Sequence, residues 1–179
     1  MSVRTFTPVF HTVEARKESS TDMKTPVKSQ HNTWLGEGYY FWDGFIEWAR
    51  WWAGVKNYQR ACIYEAKIVV DEERMIDLVG DTSDLRCFRD FTIKLKKIKP
   101  NETITVLKIL TLMQNELSMN YKLIRARSEH LLKGNNMVVP FDEQHKNVCM
   151  RCIPAIQMCA TSLDIIKEFK LKECIPSFS

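Results

Sequence analysis

The chain has 179 residues, 45% of them apolar and 27% charged, with a net charge of +4. That length fits a single domain able to bury roughly 70% of its unfolded surface, and the composition is that of a folded globular protein, which excludes a disordered or fibrous chain. The mild positive balance permits an anionic ligand or a nucleic acid without requiring either. No run of about 18 apolar residues is present and the N-terminus lacks the apolar core of a secretory signal, so a cytoplasmic protein without membrane attachment is expected. Six scattered cysteines are too sparse for a secreted disulfide scaffold and are expected as reduced thiols.

The first predicted element is an apolar strand, Thr7-Pro8-Val9-Phe10-His11-Thr12. From 12 to 34 the sequence turns polar, with a brief helical turn expected at Glu14 to Glu18 and loop elsewhere. A loop of this length between two distinctive segments is more often functional than idle. His31, within it, reads as a solvated side chain.

Trp34 to Trp52 is the least ordinary stretch. Gly36-Glu37-Gly38 precedes four consecutive aromatics, Tyr39 to Trp42. Glycine is needed where φ is positive or where another group must come close to the backbone, so this pair predicts a backbone brought against a ligand. A helix is expected next, capped by Asp43 and ended by Gly54, with Phe45, Ile46, Trp48, Ala49, Trp52 and Ala53 at helical spacing. The plain alternative is a strand and helix whose Tyr and Trp side chains only fill a core.

Arg60 to Val70 alternates and is rich in β-branched and aromatic residues, the clearest strand in the chain. Asp84 onward predicts a helix, with Leu85, Phe88, Phe91, Leu95 and Ile98 on one side, a Ser83 or Asp84 cap, and Pro100 as the stop. Lys94, Lys96, Lys97 and Lys99 gather at its C-terminal end, where cations complement the helix dipole. They read as a solvated face or as a phosphate or nucleic-acid patch. A second helix is expected from Asn101 to Leu117, although Thr103 to Val106 also suits a strand. Residues 121–127 suit a strand or a helix end, and Met137 to Phe141 a strand after the Gly134-Asn135-Asn136 turn.

Cys149 and Cys152, with His145 and Cys159 nearby, have the residue types of a zinc site. Without a second Cys-x-x-Cys pair, buried thiols are the expected state and no metal is assigned. Ala155 to Ala160 and Asp164 to Leu171 then form two apolar segments joined by a polar turn.

Gly36-x-Gly38-x-Tyr40-Phe41, with Ala49 on the following helix and His11-Thr12 lying 29 residues before Tyr40, resembles the nicotinamide-binding segments of the H-Y-E class of ADP-ribosyltransferases, the class of poly(ADP-ribose) polymerases and diphtheria toxin. The resemblance covers His11-Thr12, Gly36 to Trp52 and, more loosely, Ile156 to Leu171. It implies an α+β fold with a split, mostly antiparallel sheet over residues 1–179.

The resemblance also implies NAD as substrate. Tyr40 would stack on nicotinamide, His11 would hold a ribose hydroxyl, and Ala49 would leave room beneath. Thr12 stands where the family has glycine. Gln157 falls where the family has its catalytic glutamate, and it accepts a hydroxyl hydrogen bond without supplying negative charge. Glu65 and Glu47 are further candidates for the missing carboxylate.

The implied function is an intracellular, bacterial, toxin-like transferase moving ADP-ribose from NAD to a protein or nucleic-acid acceptor, with a neutralising protein as a further partner. A catalytically inactive module that binds a nucleotide or a protein in the same cleft is the alternative.

Overall fold

The computed structural model describes residues 2–16, 21–31, 33–129, 138–143 and 149–176. The chain is α+β, with a mostly antiparallel sheet and, among the described residues, three α-helices. The strands, in chain order, are β1 (Val3–Glu14), β2 (Tyr39–Asp43), β3 (Arg60–Asp71), β4 (Met75–Asp77), β5 (Leu123–Ser128), β6 (Val138–Pro140), β7 (Cys149–Arg151), β8 (Ala155–Ala160) and β9 (Ile166–Pro176). The helices are α1 (Ile46–Val55), α2 (Thr82–Ile98) and α3 (Val106–Leu117).

Seven strands form the main sheet in the order β4-β5-β8-β2-β1-β3-β9, and β6 pairs with β7 in a separate two-stranded ribbon. Among the described residues only β4 and β5 run parallel. The interior strand β8, between β5 and β2, is buried at all six positions, so Ala-Ile-Gln-Met-Cys-Ala reads as a nearly continuous apolar run rather than an alternating one.

Alternation along the strands sorts the core into two faces. Val9, Phe41, Met158 and Ile68 pack together on one face. On the other, Phe10, Trp42 and Ile63 receive Trp48 and Ala49 of α1. Farther along, Ile76, Ile124 and Cys159 receive Ile109, Leu110 and Met113 of α3.

Several local readings are corrected. Asp43 does not cap α1: it ends β2 and pairs with Arg125 at 2.8 Å, while Phe45 stands at the N-cap without a side-chain bond. Gly54 lies inside α1, and the left-handed conformation after the helix falls to Asn57, at φ 51°. Asp81, not Ser83 or Asp84, caps α2 by accepting the Ser83 and Asp84 N–H groups. Asn101 does not start α3, which begins at Val106 under a Thr105 cap. Glu14 belongs to β1 rather than to a helical turn. Residues 134–137 and His145 lie outside the described residues.

The expectation of reduced thiols fails at one pair. Cys62 on β3 and Cys174 on β9 are register partners, and they form a disulfide with their Cα atoms 4.2 Å apart. The strand pairing sets them opposite one another, which no spacing in the sequence could reveal. Cys87, Cys149, Cys152 and Cys159 take no part in that disulfide. Among the described residues no helix is long and apolar enough to cross a membrane.

Candidate active-site cleft

β1 and β2 share two register pairs, Val9 with Asp43 and Phe10 with Trp42. Beyond them β1 continues along β3 as far as Glu14. A cleft of about 370 Å³ occupies this region. Its lining includes His11, Thr12, Val13 and Glu14 of β1, Tyr40 and Trp42 of β2, and Gln157 of β8. The loop adds Val27, Ser29, His31, Thr33 and Trp34, and Trp52, Lys56 and Tyr58 come from α1 and just beyond it.

Of the predicted site residues, the fold brings His11, Thr12, Tyr40 and Gln157 to one cleft, whereas Gly36, Gly38 and Ala49 stand outside its lining. Ala49 is fully buried among Phe10, Trp42 and Trp48. The two glycines serve the fold itself. Gly36 adopts φ +108°, a conformation that strains any other residue. At Gly38 a Cβ would lie 2.6 Å from the Ala160 carbonyl oxygen and 2.6 Å from the Cys159 sulfur. The close approach expected toward a ligand is therefore made toward β8. Gly38→Ala should cost roughly 1–3 kcal/mol through forced separation of β2 and β8. An unchanged urea midpoint would show that the pair relaxes freely.

His11 is 5% exposed and both of its ring nitrogens are engaged. The Val27 N–H donates to Nε2 at 3.1 Å, which requires that tautomer to carry its proton on Nδ1, and Nδ1 donates to the Tyr40 carbonyl at 2.7 Å. Burial lowers its pKa to about 4, with the bond to Tyr40 opposing. His11 is thus a neutral strut between β1, β2 and the loop. A ribose hydroxyl could reach it only by displacing Val27.

Tyr40 plays a related part. Its hydroxyl accepts from the Leu35 N–H at 2.9 Å and donates to the Gly36 carbonyl at 2.8 Å, so the Gly-x-Gly turn is folded around it. Burial, followed by neighbouring Cys159, raises the phenol well above its usual range. Cys159 itself is pushed up to about 12 by burial, with Tyr40 and Lys28 opposing, and stays a thiol. Tyr64 of β3 accepts the Met23 N–H at 3.1 Å, and Ser29 bridges Gly38 in both directions. Three side chains of the sheet therefore pin the loop that forms one wall of the cleft. Thr12 donates its hydroxyl to the Ala49 carbonyl at 2.9 Å, tying β1 to α1.

Gln157 is different. It lies on the face of Trp42, its register partner, and is 6% exposed. Its Oε1 has no hydrogen-bond partner among the described residues. Trp48 Nε1 and Ser128 Oγ share that condition, but neither residue borders the cleft. An unsatisfied buried carbonyl costs about 1–3 kcal/mol, which a donor on a bound molecule would recover. Gln157 offers an acceptor, beside an aromatic wall in which Trp34 and Trp52 meet edge to face and Lys56 lies over the Trp52 ring at 4.8 Å.

The candidate carboxylates are elsewhere. Glu65 pairs with Lys172 at 2.8 Å and Lys170 at 3.5 Å across β3 and β9, and neither it nor Glu47 lines the cleft. Among the described residues Glu14 is the one carboxylate in the lining, and it pairs with Arg16. Strand alternation could have found it, since Glu14 lies two residues beyond Thr12, but only with β1 extended past the predicted end at Thr12. Among the described residues no cluster of three or more metal-binding side chains occurs, and the Cys159 sulfur faces the Gly36 carbonyl at 3.7 Å. No family model, curated protein or solved structure matches the chain.

Proposed function

We propose that the cleft binds NAD and that the protein is an ADP-ribosyltransferase of the H-Y-E type, its sheet opening between β1 and β2 as the split sheet of that fold. The single observation that carries this reading is the buried, unpartnered Gln157 carbonyl at the floor of an aromatic cleft reached also by His11, Thr12 and Tyr40.

A ribose hydroxyl would donate to Gln157 Oε1. The nicotinamide ring would lie against the exposed part of Tyr40, and Arg16, His31 and Lys56 would supply cationic or donor groups toward the phosphates. In the transfer, the bond between nicotinamide nitrogen and ribose C1′ breaks, its electron pair leaves with nicotinamide, and the acceptor's nucleophile bonds to C1′ as it loses its proton. Gln157 orients the ribose and turns the negative end of its amide dipole toward the sugar. Glu14, rather than Glu65 or Glu47, is the carboxylate available to the cleft.

The proposed setting is the cytoplasm, with a protein or nucleic acid as acceptor. There Cys62 and Cys174 would stand as a dithiol, and alkylation of the protein at lysis followed by mass measurement distinguishes the two states.

A second reading, a catalytically inactive NAD or nucleotide binder, draws on a specific observation: Gln157 is neutral, both His11 nitrogens are engaged and Glu14 is already ion-paired. Calorimetry with NAD and a nicotinamide-release assay in cell lysate separate the two. Gln157→Leu is expected to weaken NAD about tenfold, the value of one buried hydrogen bond. Tyr40→Phe keeps the stacking ring, whereas Tyr40→Ala removes ring and loop anchor together and should abolish binding. Release that depends on Gln157 supports the transferase; binding without release supports the binder; NAD affinity equal in Gln157→Leu and wild type refutes the site.

A further inference from the structure

α2 lies on the surface with no residue buried, its inner side packed on α3 through the half-buried Phe88, Phe91 and Leu95. Its outer side is organised around Ile93. Arg89 precedes Ile93 by four residues, Arg86 precedes Arg89 by three, and Lys96 and Lys97 follow Ile93 by three and four, so all fall on one helical face. Leu85, one turn before Arg89, extends the row.

All of these side chains are exposed, Leu85 by 41% and Ile93 by 46%. The lysines on the flank are already ion-paired: Lys94 with Glu116, and Lys99 with Glu102, which Lys108 shares. Arg86, Lys96 and Lys97 have no ion pair among the described residues, and Asp90, the one carboxylate on this face, is held by Arg89. The face therefore carries a local excess of three positive charges.

We infer that the outer face of α2 is a docking surface for double-stranded nucleic acid. A surface helix about 10–12 Å across matches a major groove about 12 Å wide. From Arg86 to Lys97 the cations span roughly 16 Å, the length of about five base pairs. Ile93 and Leu85 stand between the cations, where they can meet thymine methyl groups.

The same interleaving tells against a lipid surface, which needs an uninterrupted apolar stripe flanked by charge. Single strands are disfavoured because α2's two aromatics, Phe88 and Phe91, face inward and leave none on which bases could stack. This surface is independent of NAD and of the cleft.

The test is fluorescence anisotropy with a labelled 20-base-pair DNA duplex between 50 and 200 mM NaCl. Neutralising three to four phosphates predicts a slope of log K against log salt of about −3, a loss of roughly 60-fold across that range. Arg86→Glu with Lys97→Glu should weaken binding at least about tenfold at 50 mM and flatten the slope to about −1. Lys24→Glu with Lys167→Glu changes the net charge equally at exposed sites, Lys167 lying on β9 at the sheet edge opposite β4 and α2, and should leave binding near wild type. Thermal melts confirm that both double variants are folded. No binding at 50 mM, equal loss in the two double variants, or tighter binding to a single strand of the same sequence overturns the proposal.

Discussion

Asp77→Ala is expected to destabilise the fold by about 3–5 kcal/mol, the cost of leaving buried charge without its partner. Asp77 is fully buried at the end of β4. Its carboxylate takes Arg4 at 2.9 Å, Arg125 at 3.1 Å, and the N–H groups of Val79 and Gly80 at 3.0 Å each. Arg125 in turn holds Asp43, and both guanidiniums lie over the Phe6 ring at 5.3 Å. One carboxylate thus joins β1, β2, β4 and β5 with the turn into α2.

Burial pushes the Asp77 carboxyl up, but the Gly80 and Val79 N–H groups and Arg125 outweigh it and hold the group below its ordinary range. Its contribution is therefore present above the unfolded value near 4 and is lost as pH falls through the lower, folded value. Alanine strips partners from two cations and two N–H groups at once. Urea unfolding at pH 7 measures the loss, and a cost under 1 kcal/mol would mean that water enters and solvates the arginines.

The second large effect concerns His11 and pH. In the unfolded chain this imidazole takes up a proton near pH 6.5, whereas in the fold its pKa is about 4. Between those values the unfolded state binds the extra proton, so stability rises with pH and is lost as pH falls from 6.5 toward 4, by roughly 3 kcal/mol.

Protonation has a local consequence as well. Nε2 becomes a donor facing the Val27 N–H, and the loop wall of the cleft loses one of its anchors. His11→Gln keeps polar character without titrating, and its unfolding free energy should be nearly flat between pH 6.5 and 4.5, where wild type slopes. If wild type and variant run parallel in that window, His11 is not a neutral strut. An NAD titration over the same range should weaken with the wild type alone.

Much of the candidate site could be read from residues. The sequence pointed to a strand carrying His11 and Thr12, an aromatic strand carrying Tyr40, and a late strand carrying Gln157, because alternation and glycine placement are local properties of a chain. The helices after Asp43, Asp84 and Asn101 also occur, with ends displaced by a few residues. Capping is decided by which side chain can turn back onto free N–H groups, and near α2 Asp81, Ser83 and Asp84 all qualified.

Roles were less legible than places. Gly36, Gly38, His11 and Tyr40 carry the residue types of a ligand site, yet their hydrogen bonds and close contacts go chiefly to the protein. A sequence shows donors and acceptors but not which are already used. Residue identity alone determined that this is a mixed α and β chain with an aromatic, glycine-bearing centre. Tertiary structure decided the rest. Register set Cys62 against Cys174 and Gln157 beside Trp42, long-range ion pairing recruited Asp43 and Asp77, and the packing of β8 left the Gln157 carbonyl without a partner among the described residues. Each depends on contacts between residues far apart in the chain, which no local pattern encodes.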